Sequence, residues 1–171
     1  MFQRAHHVGL TVRDLDRSID FYHDKLGLPF ALAPTDWSED AHLPEALGCE
    51  GPVRMRLAAF KIADGGTILE LLEYASPQSE RDRALVQNNV GASHVAILVD
   101  DIDAYVDDLE SKDVPFNSRV HDIDEGPFEG WRWVYFRDPD GHTIEFVELR
   151  WQNPEQREAD IQAYLASRAS A

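Results

Sequence analysis

Two histidines and two glutamates in this chain have the types and spacing for metal chemistry: His7, Glu70, His94 and Glu145. Each histidine opens a strand-like run, His7-Val-Gly-Leu-Thr-Val and His94-Val-Ala-Ile-Leu-Val, and each glutamate sits in a later apolar run, Ile68-Leu-Glu70-Leu-Leu-Glu73 and Thr143-Ile-Glu145-Phe-Val-Glu148. Imidazoles with carboxylates suit zinc, nickel, cobalt, manganese or ferrous iron. A cysteine-built zinc site is excluded, because Cys49 is the only cysteine. Two glutamates balance the charge of a divalent ion, and four protein ligands on a six-coordinate ion leave two adjacent positions for a substrate that chelates through neighbouring oxygens. Such an ion acts as a Lewis acid on a developing enolate or enediolate. Glu145 is then the better candidate base for the proton on the adjacent carbon, with Glu70 in that place if the pocket is approached from the other side. The expectation is one divalent metal per chain.

A lone strand histidine is more often structural than a ligand, and a lone strand glutamate usually faces solvent. Internal duplication changes that weighting. His7-Val-Gly-Leu-Thr-Val-Arg-Asp14-Leu-Asp16 returns 87 residues later as His94-Val-Ala-Ile-Leu-Val-Asp-Asp101-Ile-Asp103. The segment Phe60 to Glu73, with Asp64-Gly65, parallels Phe136 to Glu148, with Asp140-Gly141. The first copy has one residue more between turn and glutamate, read as a turn or bulge difference. His6 is the rival to His7, but its counterpart is Ser93, so the alignment favours His7. His23, His42, His121 and His142 have no counterpart histidine and read as surface residues. Glu73 and Glu148 have the opposite strand parity to the proposed ligands and read as exposed.

The elements that must position these groups follow from periodicity. Val8, Leu10 and Val12 alternate with His7, Gly9 and Thr11, as in a strand with two different faces. Asp14 offers an N-cap, with Leu15, Ile19, Tyr22 and Leu26 at helical spacing and Gly27 as the stop. Val95, Ile97 and Val99, then Asp101, then Ile102, Val106 and Leu109, repeat the pattern. Asp-Gly between β-rich runs signals a hairpin. The fold class is α+β: two tandem βαβββ modules, residues 5–75 and 92–150, forming a curved mixed sheet around the metal site, in one domain spanning 1–171. Residues 34–52 read as a surface insertion with a helical turn near Pro44, and less favourably as a lid. Residues 76–91 read as a charged, partly helical linker, and Asn153-Pro154 as the opening of a C-terminal helix over 153–168.

Composition narrows the partners. With 32 acidic against 16 basic residues the chain carries −16, which argues against nucleic acid or an anionic membrane surface and leaves a small-molecule substrate. No apolar run approaches a membrane span, and the first residues show no apolar signal core, so the expected location is cytoplasmic. An open βαβββ sheet leaves an apolar concave face that must close on another, within the chain or across subunits, and a homodimer is expected. Trp37, Trp131 and Trp133 fit core packing or an interface better than an aromatic-ligand pocket.

The His7-Val-Gly-Leu-Thr-Val start, the Leu69-Glu-Leu-Leu-Glu-Tyr74 strand, Ser93-His-Val-Ala-Ile-Leu-Val-Asp-Asp-Ile-Asp103 and the Arg137-Asp-Pro-Asp-Gly-His-Thr-Ile-Glu-Phe-Val-Glu148 ending resemble the vicinal oxygen chelate superfamily, over roughly residues 5 to 149. The superfamily includes glyoxalase I, methylmalonyl-CoA epimerase, extradiol dioxygenases, fosfomycin-resistance transferases and bleomycin-binding proteins. Its bleomycin-binding members lack the metal ligands, whereas the His-Glu-His-Glu set here is similar to bacterial glyoxalase I. That resemblance implies a glyoxalase-like or epimerase-like isomerase or lyase in which two glutamates flank the metal and exchange a proton with substrate carbons. It also implies that paired modules dimerise. Thr11 and Tyr74 stand where the glyoxalase pattern has an arginine and an asparagine that help hold glutathione, which points away from a glutathione hemithioacetal. An extradiol dioxygenase using Fe(II) is the alternative, since Val134-Tyr135-x-x-Asp138-Pro139-x-Gly141-x-x-x-Glu145 fits its signature. Phe128, however, stands where that class has its acid–base histidine, and Glu70 stands where it has no ligand. A binding protein without turnover is the remaining class.

Overall fold

A computed structural model describes residues 3–37, 41–62, 66–81, 83–151 and 154–169. Strand β1 (His7–Val12) leads into helix α1 (Leu15–Ile19), β2 (Phe30–Trp37), α2 (Leu43–Leu47), β3 (Arg54–Lys61) and β4 (Ile68–Ser76). The second half repeats this with β5 (His94–Leu98), α3 (Ile102–Ser111), β6 (His121–Asp122), β7 (Trp131–Arg137) and β8 (Thr143–Leu149), before α4 (Pro154–Ala169). Each half makes a four-stranded sheet, ordered β1-β4-β3-β2 and β5-β8-β7-β6, whose first pairing is parallel and whose others are antiparallel. The expected α+β architecture of two βαβββ modules and a terminal helix is the one observed.

Local chemistry explains the helices. Asp14 accepts from the Arg17 backbone N–H at 3.0 Å and Asp101 from that of Ala104 at 3.1 Å, so both repeat-related aspartates cap as expected. Helix α1 widens over Asp20–Lys25 into a π-helical turn, with Leu26 N–H bonded to the Phe21 carbonyl. The wider turn brings the sequence neighbours Phe21 and Tyr22 both into the core. Gly27 then adopts φ +75°, where an L side chain is strained, and ends the helix.

The insertion expected over 34–52 begins instead as strand: β2 runs on through Trp37, although Pro34 and two register shifts mark it as an irregular edge. Among the described residues the linker forms no helix. The Asp64-Gly65 turn and the Asn153 cap lie outside the described residues. Gly141, the second repeat's turn glycine, has φ +84°. The extra residue of the first copy leaves strand pairing untouched, because Gly9 pairs with Glu70 as Ala96 pairs with Glu145. The difference is therefore absorbed ahead of Ile68.

One core joins the halves. Leu10, Val12, Phe60, Leu69 and Leu71 share a cluster with Val95, Val134, Phe136, Ile144 and Phe146. These are the helix-facing positions of both sheets, so the modules meet by their helical sides. Lys25 and Lys112, 87 residues apart, mark the pseudo-twofold relation: each ammonium donates to the other's carbonyl, at 2.7 and 2.8 Å. Both sit at a helix C-terminus, where a cation is favoured. Tyr22 Oη donates to Asp138 Oδ2 at 3.0 Å across the same junction, while the counterparts Leu109 and Ile62 supply apolar contact to the core.

Candidate metal centre

Parity along β1 turns Leu10 and Val12 to the core and His7, Gly9 and Thr11 away from it. Glu70 follows from the same alternation on β4, between buried Leu69 and Leu71. Two residues of register separate His7 from Glu70, whose direct pairing partner is Gly9. A Cβ built at Gly9 would lie 3.2 Å from Leu72 Cδ1 and 3.9 Å from Glu70 Oε2, so the bare backbone relieves the approach of Leu72 beside the carboxylate. His7 Nε2 and Glu70 Oε2 stand 3.8 Å apart. In the second module Ala96 takes the place of Gly9, and His94 Nε2 lies 3.2 Å from Glu145 Oε2. Two cis ligands each about 2.1 Å from one ion lie roughly 3.0–3.4 Å apart, so both pairs fit adjacent positions on one divalent metal with small adjustment.

The four residues do not form one cluster within the chain. Among the described residues no group of three or more His, Cys, Asp or Glu side chains is disposed to hold an ion. The modules meet by their helical sides, which turns both ligand-bearing faces outward. The histidines remain about half exposed, at 48% and 41% of side-chain area, against 23% for Glu70 and 12% for Glu145. Burial raises the Glu145 carboxyl above its ordinary value, and the His94 imidazole partly offsets this. His6 touches His7 through its Nδ1 at 2.9 Å and pairs with no glutamate among the described residues.

Each His–Glu pair has an aromatic or apolar wall. Tyr135 pairs with Glu145 across the sheet, and its ring centroid is 5.5 Å from that of His94. Its phenol is raised, first by burial and then by the Glu145 charge. Trp133 continues this face and stacks on His121 at 4.7 Å. On the first sheet the segment read as a surface loop packs down: Leu43 of α2 joins Val53, Met55 and Leu57, against Leu72 and Tyr74. These last two share the parity of Glu70, so α2 covers part of the ligand-bearing face. The Tyr74 phenol is raised by burial, then by Cys49 and Glu70.

Several expectations are corrected. Glu73 and Glu148 are not exposed; they face the helices and accept the backbone N–H of Leu15 at 3.1 Å and of Ile102 at 2.9 Å. Arg56 bridges Glu73 and Asp16, and Arg132 bridges Glu148, Asp103 and Asp122. The signal was available, since Arg56 and Arg132 stand opposite the two glutamates in the strand register. His23, His121 and His142 are half-buried rather than surface residues, and His142 Nε2 lies 2.8 Å from the Thr11 carbonyl. Trp37 is exposed, so of its two expected roles, core packing or an interface, the first is excluded. Asp138 and Asp140, read only as part of a turn motif, hold the module junction through Tyr22, Arg17 and the Arg13 N–H. Phe128 is exposed and packs on Trp131, with ring centroids 5.1 Å apart.

The fold is a scaffold of two repeated βαβββ modules, each with a His–Glu pair on its outer face, and sequence comparison places it. A family described as the Glyoxalase/Bleomycin resistance protein/Dioxygenase superfamily matches residues 4–146, and the chain belongs to it. A 2-epi-5-epi-valiolone epimerase from Actinomyces sp is 31% identical over 162 residues, covering 94% of this chain and 87% of that protein. A lactoylglutathione lyase from Haemophilus influenzae is 31% identical over 145 residues, covering 83% and 90%. The crystal structure of a glyoxalase family protein from Bacillus cereus superposes with a TM-score of 0.72 at 23% identity, covering 86% of this chain and 95% of that one.

Proposed function

We propose that this protein is a metal-dependent isomerase or epimerase, of the proton-transfer type that also includes lyases, acting on a small carbonyl or thioester compound. The observation that carries the reading is the repetition of one His–Glu pair in identical strand register in both modules, with nitrogen–oxygen spacings of 3.8 and 3.2 Å. The pairs lie on outward faces, so each is half of a site. A second copy of the chain completes it: His7 and Glu70 of one protomer meet His94 and Glu145 of its partner, giving one divalent metal per chain. A metal held there, whether zinc, nickel, cobalt, manganese or ferrous iron, supplies a Lewis acid to two neighbouring substrate oxygens.

The chain's own groups then divide the work. Glu145 accepts the proton from the carbon beside the carbonyl, and its partly buried, Tyr135-flanked setting keeps competing water away. Glu70, carried by the other module, returns a proton from its own side of the substrate, which inverts that carbon. The Tyr74–Leu72 and Trp133–Tyr135 walls orient the apolar part. Similarity to a protein named as an epimerase supports this class, and an extradiol oxygenase is disfavoured because Glu70 sits beside His7 as a fourth ligand-type group.

Metal-loaded protein in deuterated water should exchange the α-proton of 2-oxo or acyl compounds without consuming oxygen. Glu70→Gln and Glu145→Gln should each slow exchange by about 10²-fold or more, the scale for losing an acid–base group. Oxygen uptake with a catechol by the iron form, unharmed by Glu70→Gln, would overturn the assignment in favour of ring cleavage.

A further inference from the structure

At the junction of the two modules a cavity of about 270 Å³ reverses the charge balance of the molecule. The chain as a whole has twice as many acidic as basic residues. The cavity is lined by Arg13, Arg81 and Arg83, with His142, against Asp140 as the only carboxylate among the described lining residues. That carboxylate is already engaged: the Arg17 guanidinium holds one oxygen, and the Arg13 backbone N–H donates to the other at 3.0 Å. The Arg13 guanidinium donates to the Arg81 carbonyl, which ties the two arginines together. The Arg81 guanidinium itself has no carboxylate or carbonyl partner among the described residues; the residue is held through its backbone N–H and carbonyl. Ser79, Ser93 and Tyr74 add hydroxyl groups to the lining.

A guanidinium with no carboxylate partner among the described residues, in a concave cleft rich in donors, suits a planar or tetrahedral oxyanion. The position links the cleft to the metal half-sites. Thr11 and Tyr74, both lining residues, lie four residues beyond His7 and Glu70, about 13 Å along the sheet at the usual rise per residue. Ser93, another lining residue, immediately precedes His94.

We infer that this cleft binds the phosphate or carboxylate group of a small molecule, with Arg81 and Arg13 as its principal cations. Binding there requires neither metal nor turnover, and only the cleft's link to the reaction rests on the proposed function. The test is calorimetric titration of the full chain, kept in chelator, with inorganic pyrophosphate, inorganic phosphate and glutarate, and with glucose as the neutral control. Pyrophosphate should bind saturably at one per chain and weaken as sodium chloride rises. Arg81→Gln should lose tenfold or more in affinity, whereas Arg168→Gln, on α4 and outside the cleft, should bind as wild type. Absence of saturable binding for all three anions, or undiminished binding by Arg81→Gln, would overturn the inference. In the proton-exchange assay, glutarate, a weak metal ligand, that competes with the carbonyl compound in wild type but not in Arg81→Gln identifies the anion as the substrate's own acidic group. Glutarate that alters exchange at saturating substrate in wild type alone identifies a separate effector.

Discussion

Asp138 shows how much a single buried carboxylate contributes to joining the halves. It accepts from Tyr22 Oη and from the backbone N–H groups of Asp140 and His142, the latter at 2.7 Å. Burial outweighs these donors and raises its pKa above 3.8. A carboxyl raised on folding binds more protons in the native state, so its contribution is greatest below the unfolded value and is lost as pH rises through the folded one. Asp138→Asn removes that loss. The stability difference, variant minus wild type, should therefore grow from pH 4 upward in urea melts, and a pH-independent difference would contradict the assignment. Gly9 makes a second prediction at this scale. A Cβ there would meet Leu72 Cδ1 at 3.2 Å and approach Glu70, so Gly9→Val should lower metal retention by tenfold or more while Ala96→Gly leaves it intact; equilibrium dialysis decides. Strand parity made the four ligand-type residues legible, but it only says which residues share a face. It could not say that Glu73 and Glu148, on the other face, would accept the N–H groups that open the two helices, beside a half-buried Arg56 and a buried Arg132.

Helices α1 and α3 are held to their sheets by repeat-related arginines in unequal settings. Arg132 keeps 10% of its side chain exposed and meets three carboxylates, whereas Arg56 keeps 35% and meets two. Removing Arg132 leaves Glu148 partly buried with only the 3.7 Å contact to Arg150 as an ion pair, so Arg132→Met should cost about 2–4 kcal/mol. Arg56→Met, better solvated, should cost nearer 1 kcal/mol. Urea denaturation of the two variants measures the contrast, and equal losses would show that burial does not set the value. The strand–helix order was legible because each period was clean and each cap, Asp14 and Asp101, stood at its expected place. The segment after Phe30 was not, because Pro34 in a polar run hides an edge strand. Leu43, Met55 and Leu57 come together only once α2 folds over the sheet.

At the scale of the molecule, the duplicated sequence revealed two modules but not which sides would meet. Both sides of each sheet carry apolar residues, and the decision rests on the packed Phe21, Tyr22, Phe60 and Phe136 cluster together with the Lys25–Lys112 exchange. Outward ligand faces and the exposed Ile161, Tyr164 and Leu165 of α4 leave surface for a second copy. Light scattering at micromolar concentration should give twice the 19.4 kDa chain mass. Complementation is the sharper measurement: His7→Ala and His94→Ala chains, each inactive alone, should on mixing and re-equilibration recover about a quarter of the wild-type exchange rate, because half of the dimers are mixed and each has one intact site. A site closed within each chain recovers nothing.

Under the proposed two-chain site, the helix-to-helix union of the modules has a further consequence for metal binding in solution. When a coordination shell is divided between two chains, ion capture and chain association are linked equilibria, and each strengthens the other by mass action. Dilution should loosen the ion, chelation should loosen the pair, and the metal affinity read from a titration should drift with the protein concentration at which it is taken.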